Sequence, residues 1–386
     1  MPLRRLLQSE MEHSTYDISP TELAANINVH HSTFSKFFNY KNDLSFYNVL
    51  KSVKFLNPRK EHKLMVEAVD IFIAERQQQN TRLSLEYLSI NGSLNNLSET
   101  LNKMDTSNTT CKEWHQVYCL VYKFQNQELS IQDMENRINS LKVKSYEMII
   151  LKKILAAYLY YKKGYYKRVL EMSLEITSNL EHEKMNEYLK ETFHLRLNEI
   201  LANVYLFAKG EEKKARFFLN SLILSPLTCA RFNFFAYYNM SLSYFFEDYE
   251  TAIRYLDEYV GYLQEYGLED KLNYVKENDY PFLRTFWGVN TETDIKDSAK
   301  IEQAHFYAKT GETDLALEIL DSIEDKSDPF FECYKGLALG STDYLVKSIG
   351  KLLNSGNKLF AKLPLSYLDD SHKQIVSPLI SSLSII

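Results

Sequence analysis

The strongest constraint on the fold is a helical repeat of apolar residues that runs through most of the chain. From about Glu61 onward, apolar side chains recur every three or four residues, as in "YEMIILKKILAAYLYYKK" and "ETFHLRLNEILANVYLFAK", and this spacing places them on one face of an α-helix. Only 11 glycines and 8 prolines occur in 386 residues, too few for the many tight turns of a β architecture. The pattern therefore predicts an all-α fold.

Short helical hairpins recur along this region with the spacing of tetratricopeptide repeats. In "AHFYAKTGETDLALEIL" a small residue, an aromatic residue, a glycine and a second small residue follow in that order. Ala215, Ala252 and Ala316 lie about one or two repeat lengths apart, where paired helices must approach closely. Because stacked hairpins form a superhelix with a concave inner face, we predict a tetratricopeptide-like α-solenoid over residues 59–386.

A segment near the start, "ELAANINVHHSTFSKFF", has the pattern of a helix-turn-helix. Ser19 and Pro20 predict the start of its first helix, Asn28 suits the left-handed turn between two helices, and a second helix is expected from about His31 to Asn39. The second helix would enter the major groove of DNA, where hydroxyls meet base edges or phosphates and lysines meet phosphates. The DNA-binding candidates are His31, Ser32, Thr33, Ser35, Lys36, Asn39 and Lys41.

Charge is unevenly distributed between this head and the remainder. Residues 1–60 hold eight Lys/Arg and five Asp/Glu, a net charge of +3, whereas the other residues hold 37 and 46, a net charge of −9. A basic tip on an acidic body suits contact with DNA through the tip alone. We predict a helix-turn-helix DNA-binding domain over residues 1–58; the alternative is a plain helical hairpin that caps the solenoid.

Motifs for catalysis, metals or membranes are absent from the sequence. No phosphate-binding, dinucleotide-binding, zinc-protease or serine-hydrolase motif occurs, and the four cysteines form no C-x-x-C pair. His30 and His31 have no cysteine or carboxylate spaced to complete a metal site, so we expect surface histidines. No apolar run reaches membrane-spanning length, and the N-terminus lacks a signal-peptide segment. We therefore expect a cytoplasmic protein that is not an enzyme, with no cofactor, metal or membrane partner.

Polar residues on the inner helices are candidates for binding a peptide in the concave face. Asparagine can pair with an extended main chain, and arginine can bind a carboxylate. The candidates are Asn198, Asn203, Arg231, Asn233, Asn239, Glu302 and Gln303. For any single one of them, the alternative is a solvated helix face.

The chain ends in the apolar stretch "SHKQIVSPLISSLSII". If exposed, its large apolar residues would form a hydrophobic surface patch. These residues are Leu379, Ile380, Leu383, Ile385 and Ile386. They either seal the last repeat or pair with a second copy, so we predict a capping or dimerisation segment over about residues 365–386. A homodimer would match a palindromic operator.

A wider resemblance is carried by "YKNDLSFYNVLKSVKFLNP", "LTCARFNFFAYYNMSLSYFFEDYETA", "TFWGVN", "IEQAHFYAKTGETDLALEILD" and "NSGNKLFAKLPLSYL". The sequence resembles the AimR-type arbitrium peptide receptors of temperate phages in the order and separation of these stretches over nearly the whole chain. The blocks "EQAH" and "LPL" are the most specific part of this resemblance. The resemblance implies a dimeric transcription activator in the host bacterium that favours lysis. A short phage-encoded signalling peptide, typically a hexapeptide, would switch it off and favour lysogeny.

The resemblance also implies peptide contacts at Asn203, Arg231, Asn239, Glu302 and Asn357. Arg231 and Asn203 would suit the peptide carboxylate and backbone, and Glu302 a basic side chain. Asn357 stands where relatives can carry Asp, so a charge partner is missing and the cognate peptide either binds with less charge or lacks arginine.

The tail differs as well: it is less leucine-rich than the dimerising tails of relatives, and Pro378 interrupts it. Phe207 stands where a relative can have Asn. Both departures bear on how firmly copies pair and on which peptide is bound.

Together these features predict a peptide-gated transcriptional regulator that binds operator DNA. The alternative is a helical adaptor that inhibits or dephosphorylates a signalling protein, as related peptide-sensing proteins do. Those relatives carry a helical-bundle head without a DNA-reading helix, so binding to the chain's own promoter DNA distinguishes the two hypotheses.

Overall fold

The computed structural model describes residues 2–13, 18–182 and 185–382, except for the side chains of residues 379, 381 and 382. Within these ranges the chain forms helices and turns and no β-strand, which confirms the all-α prediction. The helices are α1 (Pro2–Glu12), α2 (Pro20–Asn26), α3 (His31–Phe38), α4 (Phe46–Leu56), α5 (Glu61–Ala74), α6 (Gln78–Ile90), α7 (Leu94–Lys103), α8 (Thr109–Gln125), α9 (Ile131–Ser140), α10 (Tyr146–Lys162), α11 (Tyr166–Leu180), α12 (Glu187–Asn203), α13 (Glu212–Ile223), α14 (Ala230–Tyr244), α15 (Tyr249–Glu265), α16 (Glu269–Tyr274), α17 (Tyr280–Trp287), α18 (Glu292–Ile295), α19 (Lys300–Thr310), α20 (Thr313–Asp321), α21 (Pro329–Leu339), α22 (Thr342–Asn354), α23 (Lys358–Tyr367) and α24 (Asp370–Ser382).

Internal packing divides the chain into two compact units. Unit 1 comprises Met1–Ala156 and Ser178–Phe193, and unit 2 comprises Ala157–Thr177 and His194–Ile386. The functional boundary near residue 58 stays a prediction, because compactness does not report which residues contact DNA.

In unit 1, the local signals of the helix-turn-helix appear where the sequence placed them. Ser19 and Glu22 form a capping box, with the N–H of Glu22 donating to Ser19 Oγ at 3.3 Å and the N–H of Ser19 donating to Glu22 Oε2 at 2.9 Å. Asn28 makes the turn with φ of 54°. Phe34 and Phe37 are buried, which leaves the polar residues of α3 on its outer side.

Helix α1 fixes the end of α3 through Arg4, a contact that sequence patterns do not reveal. Arg4 is only 5% exposed. Its Nε donates to the carbonyl of Phe37, its Nη2 donates to the carbonyl of Asn42 at 3.2 Å, and its guanidinium lies 4.6 Å from the ring centroids of Phe37 and Tyr40. The arginine thus links α1 to the last turn of α3 and to the segment that follows it.

Unit 2 contains the predicted stacked hairpins. The small residues Ala215, Ala252 and Ala316 are fully buried, because paired helices meet at these positions. Gly311, which joins α19 to α20, has φ of 88° and so adopts the left-handed conformation that ends a helix. The tetratricopeptide-like α-solenoid is confirmed.

Helix α23 packs across the inner helices of unit 2, which the repeat pattern did not predict. The ring of Phe360 lies 6.2 Å from Phe245 at the end of α14, 5.9 Å from Phe282 on α17 and 5.6 Å from Phe330 on α21. Leu359 belongs to a buried cluster with residues of α13 and α14. The interior of the solenoid is therefore partly filled by the chain itself.

The last helix, α24, lies partly against its own unit. Val376 and Ile380 pack on the core of unit 2, whereas Ile375 is 65% exposed. Of the predicted patch, Leu383, Ile385 and Ile386 and the side chain of Leu379 lie outside the described part of the chain. Sealing of the last repeat accounts for Ile380, and pairing with a second copy stays a prediction.

None of the helices in the described ranges combines the length and hydropathy that crossing a membrane requires.

Candidate functional site

The predicted DNA-reading residues lie together on and just after α3. His31, Ser35, Lys36, Asn39 and Lys41 are exposed. Ser32 and Thr33 are half-buried. Together they form a continuous polar surface that starts at the N-terminus of α3, which is the end that a recognition helix directs at base edges.

Local hydrogen bonds order this surface. His30 is the N-cap of α3: its Nδ1 accepts the N–H of Ser32 at 3.3 Å and lies 2.8 Å from Ser32 Oγ. Asn39 Nδ2 donates to Ser35 Oγ at 3.4 Å. Lys36 and Lys41 form no ion pair with a carboxylate in the described ranges, so both ammonium groups are available to an external anion.

Arg231 is held in place by a carboxylate from a neighbouring inner helix. Its Nη2 donates to Glu199 Oε1 at 2.5 Å and to Oε2 at 2.7 Å. The hydroxyl of Tyr158, on α10, donates to the same carboxylate. Burial and the charge of Glu199 raise the pKa of Tyr158, so it acts as a neutral donor that fixes Glu199.

One side of the Arg231 guanidinium lacks an acceptor. Its Nη1 atom is buried without a hydrogen-bond partner among the described residues, although the side chain as a whole is 30% exposed. A buried donor without an acceptor costs free energy. An incoming carboxylate would satisfy it with a charge-assisted hydrogen bond.

Two other peptide-binding candidates, Asn203 and Asn239, lie on the same helices as Glu199 and Arg231. Asn203 follows Glu199 by one helical turn and shares its face of α12. Asn239 lies two turns after Arg231 on α14, is 5% exposed and donates its Nδ2 to the carbonyl of Phe235 at 2.8 Å.

Three other peptide-binding candidates form hydrogen bonds with residues close to them in sequence. Asn357 caps α23, its side chain accepting the N–H of Phe360 at 3.1 Å. Asn233 accepts from the hydroxyl of Thr228 at 3.0 Å, and Gln303 Nε2 donates to the carbonyl of Ser298 at 2.7 Å. Arg231 thus pairs with Glu199, Asn203 lies on the same helix face as Glu199, and Asn357 acts as a helix cap.

A second polar cluster surrounds Glu302 on α19, next to a π-helical turn, Val275–Asp279, that joins α16 to α17. Pro281 has no N–H to donate to the carbonyl of Glu277 four residues earlier. That carbonyl accepts the N–H of Ala299 at 2.9 Å instead. The proline therefore ties the turn to the start of α19, and Asp279 lies in this turn.

Asp279 is half-buried and Glu302 is buried, and each carboxyl has one oxygen without a hydrogen-bond partner among the described residues. Asp279 Oδ1 accepts from the hydroxyl of Tyr238 at 3.2 Å, and its Oδ2 is buried without a partner in the part of the chain described. Glu302 has a side chain 9% exposed, and its Oε2 lies 3.6 Å from Nδ1 of His305, too far for a hydrogen bond.

Both carboxyls resist ionisation. Burial, opposed by the hydrogen bond from Tyr238, raises the pKa of Asp279 to about 7. Burial and the charges of Asp279 and Asp328 raise the pKa of Glu302 well above its usual value. Burial lowers the pKa of His305 well below its usual value, so this histidine is neutral and provides no counter-charge.

Sequence reasoning missed Glu199, Tyr158 and Asp279. Glu199 precedes its partner Arg231 by 32 residues, and no spacing rule links them. A signal for Asp279 was present, since Pro281 inside an otherwise helical segment predicts a local distortion. Within the described ranges, no group of three His, Cys, Asp or Glu side chains is placed to hold a metal ion.

Solved structures share this architecture. The chain resembles SeMet-phAimR with a TM-score of 0.75 and 25% identity, over 98% of this chain and 100% of that one. It also resembles phAimR in a structure described as phAimR-Ligand, with a TM-score of 0.65 and 25% identity, over 84% of this chain and 97% of that one.

Relatives of known name are similar to this chain in sequence. The AimR transcriptional regulator of Bacillus phage phi3T is 28% identical over 336 residues, which are 83% of this chain and 85% of the relative. The AimR transcriptional regulator of Bacillus phage SPbeta is 23% identical over 333 residues, 83% of each chain. Both are named as regulators, a class that is not enzymatic, in agreement with the sequence analysis. The family model described as "AimR transcriptional regulator-like" matches residues 64–370. The chain therefore belongs to the AimR transcriptional regulator-like family.

Proposed function

We propose that this chain is a peptide-gated transcriptional regulator that binds operator DNA through α3 and a short signalling peptide through the inner helices of unit 2. It acts as a homodimer in the cytoplasm of the host bacterium and controls the choice between lysis and lysogeny. Residues 1–58 form the DNA-binding domain and residues 59–386 the peptide-sensing domain.

Support for DNA binding comes from α3. Its polar side chains face outward, Arg4 and the capping box fix both ends of the helix-turn-helix, and two lysines are free to meet phosphates. His31, Ser32, Thr33, Ser35, Lys36, Asn39 and Lys41 are the proposed contacts.

The observation that carries peptide binding is the unsatisfied Nη1 of Arg231. Glu199 already neutralises most of the guanidinium charge, so the site needs an acceptor with well-placed oxygens rather than any anion. The C-terminal carboxylate of a peptide fits this requirement. In this proposal Asn203 and Asn239 pair with the peptide backbone, and Glu302 and Asn357 contact other residues of the peptide. The ligand-bound phAimR structure supports a ligand site in this fold.

The test uses the full-length protein and two synthetic hexapeptide libraries of the same sequences, one with free C-terminal carboxylates and one amidated. Affinity selection with mass spectrometry should recover peptides from the first library at least tenfold better. Arg231→Ala should abolish that preference, because the carboxylate loses its donor. Arg254→Ala, an exposed arginine on α15, is the matched control and should retain it.

A gel shift with DNA fragments from around the chain's own gene tests the proposed DNA binding. The wild type should shift a promoter fragment, and the variant Lys36→Ala/Lys41→Ala should shift it weakly. Failure of the wild type to shift any fragment would favour the helical adaptor instead.

A further inference from the structure

We infer that Tyr40, which follows the C-cap of α3, donates its hydroxyl to a phosphate of the bound DNA. The inference rests on the proposed DNA binding and deepens it, since it adds an uncharged phosphate contact to that surface. Its neighbours Asn39 and Lys41 are already proposed contacts, whereas the sequence pattern did not point to Tyr40 itself.

Tyr40 occupies a backbone position that favours glycine. Helix α3 ends in a Schellman turn, in which the N–H of Tyr40 donates to the carbonyl of Phe37 at 3.1 Å and the N–H of Lys41 donates to the carbonyl of Lys36 at 2.8 Å. This turn gives Tyr40 a φ of 60°, in the left-handed region that bulky side chains rarely adopt. The tyrosine therefore occupies this position at a cost in backbone strain.

Other residues with a positive φ are better suited to it. In the described ranges most of them are glycines, and the non-glycine residues besides Tyr40 are Asn28, Arg76 and Gln127. Asparagine tolerates the left-handed region, and arginine and glutamine have flexible, unbranched side chains. Tyr40 is the one aromatic residue in this conformation among the residues described, so its side chain needs an explanation other than the turn itself.

The side chain of Tyr40 is exposed and supported from below. It is 67% exposed, and the guanidinium of Arg4, a residue only 5% exposed, lies 4.6 Å from its ring centroid. Arg4 is itself fixed by the carbonyls of Phe37 and Asn42. The Tyr40 hydroxyl forms no hydrogen bond to another residue of the described ranges, so it can donate to an external acceptor.

The surroundings of Tyr40 favour a phosphate as that acceptor. Lys36, in the last turn of α3, and Lys41 are both exposed. Arg4 adds positive charge under the ring, partly offset by Asp43, whose Oδ1 lies 3.9 Å from Nη2 of Arg4. In the homeodomain variant of the helix-turn-helix, the C-terminal end of the recognition helix contacts the DNA backbone, and tyrosine hydroxyls are regular donors to phosphate oxygens.

An uncharged donor has a signature that separates it from the lysines. Tyr40 neutralises no phosphate charge and releases no counterion, so its loss should leave the salt dependence of binding unchanged, whereas loss of a lysine contact reduces the slope. A phosphate contact also carries no base sequence information. Loss of the hydroxyl should therefore weaken binding to promoter DNA and to unrelated DNA by the same factor.

Anisotropy titrations at low salt compare the full-length wild type with Tyr40→Phe, which keeps the ring over Arg4 and removes only the hydroxyl. The probes are the promoter fragment that the wild type shifts and a duplex of the same length and base composition in scrambled order. Tyr40→Phe should bind both probes about tenfold more weakly, the loss expected for one hydrogen bond to a charged group. The slope of log K against log salt and the midpoint of urea unfolding should both equal those of the wild type.

Tyr165→Phe is the matched control. Tyr165 is 50% exposed, and the ammonium of Lys163 lies 5.5 Å from its ring centroid, so this variant also removes a hydroxyl from an exposed ring beside a cation. Its affinity for both probes should equal that of the wild type.

The outcomes separate the inference from the proposed function. Wild-type affinity of Tyr40→Phe for both probes refutes the phosphate contact and leaves DNA binding intact. Weaker binding to the promoter fragment alone also refutes it, because the hydroxyl would then contact a base. Weaker binding together with a lower urea midpoint refutes it as well, since the hydroxyl would then support the fold. Failure of the wild type to bind either probe refutes the proposed function, and this inference with it.

Discussion

Replacing Asp279 with asparagine should change how the stability of the ligand-free protein depends on pH. The pKa of Asp279 rises from 3.8 to about 7 in the folded protein, because burial disfavours the carboxylate and the Tyr238 hydrogen bond only partly compensates. A raised folded-state pKa stabilises the protein fully below the unfolded value, and that stabilisation is lost as the pH rises through the folded value.

The size of the effect follows from these two values. Linkage gives a loss of about 2.5 kcal/mol in the free energy of unfolding between pH 5 and pH 8 from this one carboxyl. An asparagine side chain is the neutral isostere of aspartate and can still accept from Tyr238, so the variant should not suffer the loss. Relative to the wild type, Asp279→Asn should therefore gain about 2.5 kcal/mol between pH 5 and pH 8.

Urea unfolding at pH 5, 6, 7 and 8 measures this difference. Trp287, on the helix that follows Asp279, donates to the carbonyl of Phe245 at 2.8 Å and reports on unit 2 by its fluorescence. Glu277→Gln is the control, and its effect should stay within about 0.5 kcal/mol at every pH. A constant difference between Asp279→Asn and the wild type across this range would refute the assignment of Asp279 as an acid with a raised pKa.

Three other predictions concern α3, its neighbouring cap and the solenoid. Lys36→Ala should weaken DNA binding and reduce the slope of log K against log salt by about 1; an unchanged slope in anisotropy titrations would contradict a phosphate contact. Ser19→Ala should lower stability by about 1 kcal/mol in urea unfolding through loss of the α2 cap, and no loss would mean that the cap is dispensable. Gly356→Ala should cost about 2 kcal/mol or more, since φ is 73° and the new Cβ would lie 3.0 Å from ring atoms of Tyr166. Gly311→Ala, with φ of 88° and open space, isolates the backbone strain, and equal losses in the two variants would rule out the clash.

Local signals made the helix-turn-helix and the hairpins predictable from sequence. Ser19, Glu22 and Asn28 act on backbone groups within a few residues, so their spacing alone specifies the caps and the turn. Ala215 and Ala316 are small because neighbouring helices pack directly on them. These features recur at fixed intervals and can be recognised without knowing the tertiary structure.

The chemistry of the candidate site depends on contacts between distant parts of the chain. Nothing near Arg231 in sequence indicates that Glu199 would neutralise it. The environment of Asp279 likewise depends on a distant residue, Tyr238, which precedes it on another helix. The packing of Phe360 across several inner helices likewise follows from the path of the superhelix rather than from the residues beside it. Glu302 was a candidate both as a polar inner-helix residue and by family resemblance, but its lack of a counter-charge among the described residues required the structure.

The most direct test of peptide gating is the affinity of the full-length protein for its promoter DNA with and without a saturating peptide selected from the free-carboxylate library. Fluorescence anisotropy should show a change of about tenfold or more in the dissociation constant for the wild type, and none for Arg231→Ala. If calorimetry shows that the wild type binds the peptide while its DNA affinity stays the same, the peptide does not gate DNA binding and the central claim is wrong.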